Sequence, residues 1–363
     1  MTATHPSPQR TRQAPASHHG EAEEELIRAQ LQQLLQDQQR RTARYSRATA
    51  DLWQRIAPTV GAGKLTRPKL VSLGYRTFGG KDQARSIDLG CAFELLHSAL
   101  LMHDDVIDRD FIRRGRPTLS AHYRDQARAA GLEPAAAEHV GGSAGIIAGD
   151  LLLSAAIRQA ARAAAGLPAA EAVGQAFELA VAQAGAGELE DLLYSVQALP
   201  ANTAEVLRME ELKTAGYSFQ LPLLCGALLA GASETEAAGI SDIGCRLGVA
   251  YQVVDDILGC FGDPRSTGKS VESDLREGKS TVLTALASED ADFQAELAAY
   301  RNGSSSIQAL RQALHRSGAA QTAHRLAASL CTAALQSPHF NALPPHTQQE
   351  LQGYATFILE RKV

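Results

Sequence analysis

The sequence predicts an all-α protein, a single-domain bundle of about ten or more helices. Three observations lead there. Aromatic residues are only 5% of the 363, while alanine and leucine abound, a balance that favours helix over strand. Apolar residues recur at helical spacing through long runs broken by Gly- and Pro-bearing stretches. No βαβ alternation and no short-period repeat is present.

The elements follow in order. Residues 1–20 are rich in Pro, Ser, His, Gln and Thr and lack the apolar core of a signal peptide, so they read as a disordered tail, with one domain over 21–363. Glu21 to Ile56 reads as one long helix on Leu26, Ile27, Leu31, Leu34 and Leu35, ended by Pro58, Gly61 and Gly63. Pro68 suits the first turn of the next helix. Lys64 and Arg67 then lie at a helix N-terminus, the wrong end for cations. They are either a solvated pair or an anion site. The central helix spans Asp82–Arg109, with a short helix at Ser120–Ala130. A loop with Pro134, Gly141 and Gly142 leads to a helix at Ser143–Ala165, where Asp150 reads as a satisfied core carboxylate in preference to a ligand at a kink. Further helices cover Pro168–Val196, with Glu188, Glu190 and Asp191; Thr203–Ala230, with Lys213 in its middle; and Ser233–Leu258. A loop carrying Asp263, Lys269, Asp274 and Lys279 follows. Shorter helices, among them Ser305–Ser317, Ala320–Leu335 and His346–Glu360, complete the chain.

Composition bounds the function. At 45% hydrophobic and 21% charged, the chain can bury a large core. A net charge of −5 gives no sign of a nucleic-acid partner. Cys91, Cys225, Cys245, Cys260 and Cys331 are scattered without a CxxC pair and read as reduced thiols of a cytoplasmic protein. The longest apolar runs, such as Leu221–Ala232, are too short for a bilayer, so no integral membrane segment is expected.

Two stretches carry chemistry. Phe93–Thr118 holds Asp104, Asp105 and Asp108 at the end of an apolar helix. Residues four apart share a helix face, so Asp104 and Asp108 point the same way. His97 lies on that face roughly 10 Å up the axis. Clustered carboxylates need cations, and hard oxygen ligands suit Mg²⁺, which also favours phosphate oxygens. Arg113 and Arg114 follow in a turn with Gly115 and Pro117, and guanidinium forks bind phosphate. Alone, this could be a solvated helix end. Asp255 and Asp256, however, close a second apolar helix of the same build, striped by Ile243, Leu247, Ala250, Val254 and Ile257. Packed as neighbours, the two helices would set their acids across one cavity, holding a diphosphate through several Mg²⁺ ions with Lys213, Lys269 and Arg113. Apolar helix faces below would shelter a hydrocarbon and a carbocation.

These residues resemble the trans-isoprenyl diphosphate synthase, or polyprenyl synthetase, family over about residues 60–290. GKLTRP at 63–68 is similar to the family's GKxxRP. ELLHSALLMHDDVIDRDFIRRGRPT at 94–118 resembles its first aspartate-rich region, LKTAG at 212–216 its KT segment, YQVVDDILG at 251–259 its second aspartate-rich region, and GKSVESDLREGKST at 268–281 the lysine-bearing loop after it. The resemblance implies the isoprenoid synthase bundle around a central cavity, three Mg²⁺ ions per site and a homodimer. It implies that Asp104 and Asp108, supported by Asp105, bind metal on one side, and Asp255, helped by Asp256, on the other. Arg113, Lys213 and Lys269 would hold the allylic diphosphate. Lys64, Arg67, His97 and Arg114 would hold isopentenyl diphosphate, and Thr214 and Gln252 would flank the cation.

Three departures stand out. Gly259 replaces the third acid of the second region, Glu188 stands where the family often has glutamine, and Leu65 replaces a common arginine. The implied reaction is head-to-tail condensation of isopentenyl diphosphate with an allylic diphosphate. Ala99 and Leu100 would form the floor beneath the growing chain, and a small residue at 99 predicts a C20 product, geranylgeranyl diphosphate. The alternatives are a C25–C50 product, a terpene synthase or cyclase on the same bundle, and a non-catalytic partner subunit.

Overall fold

The structure, a computed structural model, describes residues 18–113, 115–196, 198–199, 201–262, 275–276 and 278–361. Helices dominate: α1 (His18–Ala43), α2 (Arg47–Ile56), α3 (Thr66–Thr77), α4 (Gln83–Ile107), α5 (Leu119–Ala129), α6 (Pro134–Ala164), α7 (Ala170–Ser195) and α8 (Thr203–Glu210). A π-helical stretch, Glu211–Gln220, joins α8 to α9 (Leu221–Leu229), and α10 (Glu234–Phe261) follows. Six shorter or peripheral helices come next: α11 (Val282–Leu286), α12 (Ala291–Arg301), α13 (Ile307–Arg316), α14 (Ala319–Leu335), α15 (Pro338–Asn341) and α16 (Pro345–Leu359). The all-α expectation holds. Between α4 and α5 a minimal hairpin pairs Ile112–Arg113 with Arg116–Pro117.

Two apolar clusters build the core. One gathers α1 to α4 with α6 and α7 around Trp53, Phe93, Leu96 and Phe177. The other surrounds α10 with Phe219, Leu247, Val253, Phe293 and Leu351. The functional cavity opens between them, which is why α4 and α10, one from each cluster, supply its two acid ends.

The helix boundaries depart from expectation in three places. The first long helix breaks after Ala43 because Ser46, in an extended conformation, caps α2 by accepting a hydrogen bond from the Thr49 amide, a stop-and-restart that serine favours. The predicted loop at 134–142 is helix: Pro134 sits at the start of α6, where its missing N–H costs nothing. The glycines read as loop signals are instead contact points. Gly141, Gly145 and Gly149 recur every fourth residue on one face of α6. A methyl group on Gly141 would stand 2.4 Å from the Ser120 carbonyl oxygen, and one on Gly149 2.2 Å from His103 Nε2. The row therefore lets α6 lie close against α5 and α4. Asp150 is exposed, 3.3 Å from His103 Nε2, so it is neither a kink ligand nor a core carboxylate. Finally, Thr203–Ala230 is interrupted by the π-helical stretch.

By length and composition α6 is apolar enough to cross a membrane, which no run was expected to be, but its glycine face is packed inside the bundle. Its outer side shows Ile146, Ile147 and Ile157, and α7 adds Leu179.

Candidate active site

α4 ends at Ile107, and Asp108 caps it with its amide bonded to the Asp104 carbonyl. Arg109 then takes a left-handed backbone (φ 56°), which turns the chain sharply out of the helix. The following hairpin, turned at Gly115 (φ 70°), folds Arg113 back onto the acids. Arg113 Nε donates to Asp105 Oδ1 and its Nη2 to Asp104 Oδ2, both at 2.5 Å. Burial pushes the Asp105 carboxyl up to about 6, against the pull of Arg113 and helped by repulsion from Asp104 and Asp110. Arg113 itself is held firmly cationic by Asp104 and Asp105, which outweigh its own burial.

Lys213 enters from the π-helical stretch. The wide turn brings its backbone onto α7 at Gly187, where a methyl group would sit 2.2 Å from the Lys213 nitrogen. Lys213 Nζ lies 2.6 Å from Asp191 Oδ2, 3.1 Å from Glu188 Oε2 and 3.5 Å from Asp104 Oδ1. Burial favours neutral lysine, but these three carboxylates more than reverse it and raise its pKa. Burial also raises Glu188, with Lys213 pulling the other way. Lys279, given no role in the sequence reading, donates to Asp108. Its pairing partner lies 171 residues away in the chain, which local pattern does not encode.

On the far side Asp255 pairs with Arg361 Nη2 at 2.5 Å, and the Arg361 guanidinium lies 4.3 Å above the Tyr251 ring. Asp256 is buried and accepts from the Val282 amide at 2.9 Å, fastening the start of α11. It also meets the fully buried Glu210, whose pKa burial and Asp256 raise well above the usual range.

A third group surrounds Tyr217. Its hydroxyl is 3.3 Å from Arg67 Nη2 and 3.3 Å from His97 Nδ1. Arg67 also donates to Ser218 Oγ at 2.6 Å and stacks 4.7 Å from the Tyr217 ring centre. Lys64 lies 4.6 Å from the Phe357 ring. Leu65 between them is buried in a left-handed conformation (φ 54°), a strained backbone for a leucine that sets where Lys64 and Arg67 project. Tyr217 and Ser218 were missed, because nothing in the sequence signals the π-helical turn that delivers them.

Most of these groups border one hollow of about 2040 Å³. Its lining includes Lys64, Arg67, His97, Leu100, Asp104, Arg113, Lys213, Thr214, Gln252, Asp255, Asp256 and Lys279. Apolar wall comes from Leu101, Ile107, Ala184, Leu189, Leu192, Phe219 and Leu258. Asp105 and Asp108 are not in the lining but bond to Arg113 and Lys279, which are. Ala99 does not border the hollow; it is fully buried, one turn before His103 on the side of α4 that meets α6. The expectations for Lys269 and Arg114, and for Asp263, fall outside the described residues.

The donor set is hard oxygen throughout. Among the described residues no three such side chains already stand in ligating array, because Arg113, Lys213, Lys279 and Arg361 occupy the carboxylates. That lysine and arginine nitrogens gather on Asp104, Asp108 and Asp255 shows where positive charge is stabilised, and divalent ions fit the same oxygens.

Comparison with known proteins gives the following. The model of the polyprenyl synthetase family matches residues 51–316. The geranylgeranyl diphosphate synthase of Sulfolobus acidocaldarius is 37% identical over 224 residues, 61% of this chain and 62% of that protein. The geranylfarnesyl diphosphate synthase of Aeropyrum pernix is 35% identical over 229 residues, 62% and 66% of the two chains. The chain thus spans less than two thirds of the length of these relatives. The crystal structure of geranylgeranyl pyrophosphate synthase from Corynebacterium glutamicum, complexed with isoprenyl diphosphate and magnesium, superposes with a TM-score of 0.85 at 28% identity, covering 94% of this chain and 99% of that one.

Proposed function

Because the chain belongs to the polyprenyl synthetase family, we propose that it is a Mg²⁺-dependent prenyltransferase joining isopentenyl diphosphate head-to-tail to an allylic diphosphate. The observation that carries this is the shared hollow: Asp104 and Asp255, from opposite clusters of the core, border one cavity that is charged at its acid end and apolar along its wall. Two separate cationic groups fit two diphosphates. Arg113, Lys213 and Lys279 stand beside the acids, where the allylic diphosphate would sit. Arg67 and His97, joined through Tyr217, would take isopentenyl diphosphate together with Lys64.

Asp104, Asp108 and Asp255 would hold Mg²⁺, three ions per site in the reading from sequence, which when bound supplies positive charge to the departing diphosphate. Lys213 and Arg113 would keep that anion oriented as its ester bond to the allylic carbon breaks. Thr214 and Gln252, on the cavity wall, would turn their dipoles toward the resulting cation. Leu100, Leu101 and Leu258, on the cavity wall, would exclude water from it. The double bond of the second substrate then attacks. The tertiary cation this leaves would lose a proton from its adjacent carbon to the diphosphate held by Lys213, re-forming a double bond, so no protein base is required.

The product we favour is C20, supported by the likeness to a geranylgeranyl diphosphate synthase; the likeness to a geranylfarnesyl diphosphate synthase makes C25 the second reading. The exposed apolar side of α6 and α7 supports a homodimer, and five cysteines outside any disulfide support a cytoplasmic setting. Incubation with Mg²⁺, isopentenyl diphosphate and each of the C5, C10 and C15 allylic diphosphates, followed by sizing of the dephosphorylated products, tests this. The expected result is a linear C20 alcohol. A cyclic hydrocarbon formed from one diphosphate alone would replace this reading with a cyclase.

A further inference from the structure

Within that reading, Lys213 must exchange carboxylate partners for a diphosphate, and the geometry points to Glu188 as the residue that sets how tightly the diphosphate is held. Three carboxylates, on Glu188, Asp191 and Asp104, converge on one ammonium. Their roles differ. Asp104 also takes Arg113. Asp191 makes the shortest contact to Lys213 and is the more deeply buried of the two α7 acids, its side chain 10% exposed against 23% for Glu188. Both α7 acids border the hollow, but Glu188 has the slacker contact and the more exposed side chain. Its neighbours along α7, Ala184, Gly185, Leu189 and Leu192, line the same cavity, so its carboxylate stands where the charged end meets the apolar wall.

When the ammonium turns to a diphosphate, Asp191 suffices to hold the lysine stem, because Gly187 already pins its backbone against α7. The Glu188 charge is then left facing an anion. It weakens the bound diphosphate and favours its departure after reaction. Position 188 is also one of the places where the sequence departs from the glutamine common in the family, and that exchange removes this charge without changing shape.

The test is calorimetric titration of the full chain with inorganic diphosphate at saturating Mg²⁺, together with KM for the allylic diphosphate. Glu188→Gln is expected to bind diphosphate about 3- to 10-fold more tightly and to lower KM by a similar factor, the range of one modest charge contact. Glu190→Gln, which makes the same change in net charge away from the hollow, is expected to do neither. A role for Glu188 in merely holding Lys213 in place would weaken binding, the opposite sign. Equal or weaker binding by Glu188→Gln would overturn the inference and leave the prenyltransferase reading standing. Absence of Mg²⁺-dependent diphosphate binding in the unaltered protein would overturn both.

Discussion

At the scale of single residues, the site works through ion pairs that its ligands must displace. Asp104 takes both Arg113 and Lys213, so Asp104→Asn is expected to cut turnover by about 10²–10³-fold or more, with unchanged far-ultraviolet circular dichroism showing the fold intact. Tyr217 acts differently, by linking Arg67 to His97. Tyr217→Phe removes one hydroxyl from that link and is expected to raise KM for isopentenyl diphosphate about 3- to 10-fold, the value of one net hydrogen bond, leaving KM for the allylic partner unchanged in steady-state kinetics. Asp105 has a pKa pushed up to about 6 in the folded protein, against roughly 3.9 when unfolded. Between those values the folded state holds the extra proton, so stability of the metal-free protein falls as pH rises from 4 to 6, by up to about 3 kcal/mol. Thermal melts across that window in chelator should show the fall, and Asp105→Asn should flatten it. The acids were legible because carboxylates at i and i+4 announce themselves. Tyr217 and Lys279 were not, since their roles depend on a wide helical turn and on a long-range pairing that local pattern does not encode.

At the scale of elements, the misreading of α6 has one cause. Glycine was taken as a loop signal at 141 and 142, but in α6 it is a licence for close approach. Gly141→Ala would push a methyl group into the Ser120 carbonyl, a backbone atom that cannot swing aside. The expected cost is about 1–3 kcal/mol, read as a lowered midpoint in thermal or urea unfolding. The same packing revises the floor of the cavity. Ala99 is fully buried away from the hollow, whereas Leu100 borders it. Leu100→Phe is therefore expected to shorten the product by at least one C5 unit, seen by chromatography of dephosphorylated products. Ala99→Phe should chiefly destabilise through overpacking. Helix existence was read well from periodicity. Helix contacts were not, because a periodic pattern shows that a face is buried but not which neighbour buries it.

At the scale of the whole molecule, the organising idea of two acid-ended helices across one hollow came from symmetry between distant segments, and the structure sets them so. The unpaired apolar side of α6 and α7 was invisible in sequence, since a buried stripe and a subunit contact have the same composition. Wild-type protein is expected to run in light scattering at twice the 38.6 kDa chain mass, and Ile147→Asp, which places a charge on that side, is expected to run as a single chain. The stretch at Glu211–Gln220 has a consequence beyond catalysis. Its turns are wider than those of an α-helix, so a deletion of one residue there would let the backbone relax into a tighter and more regular coil. The tighter turns would take up the missing residue, so the helix on either side keeps its register, but the wide turn that lays Lys213 on Gly187 would be gone. Such a shortened chain would be sounder as a helix and yet lift Lys213 off its seat on α7, so robustness and competence here pull in opposite directions.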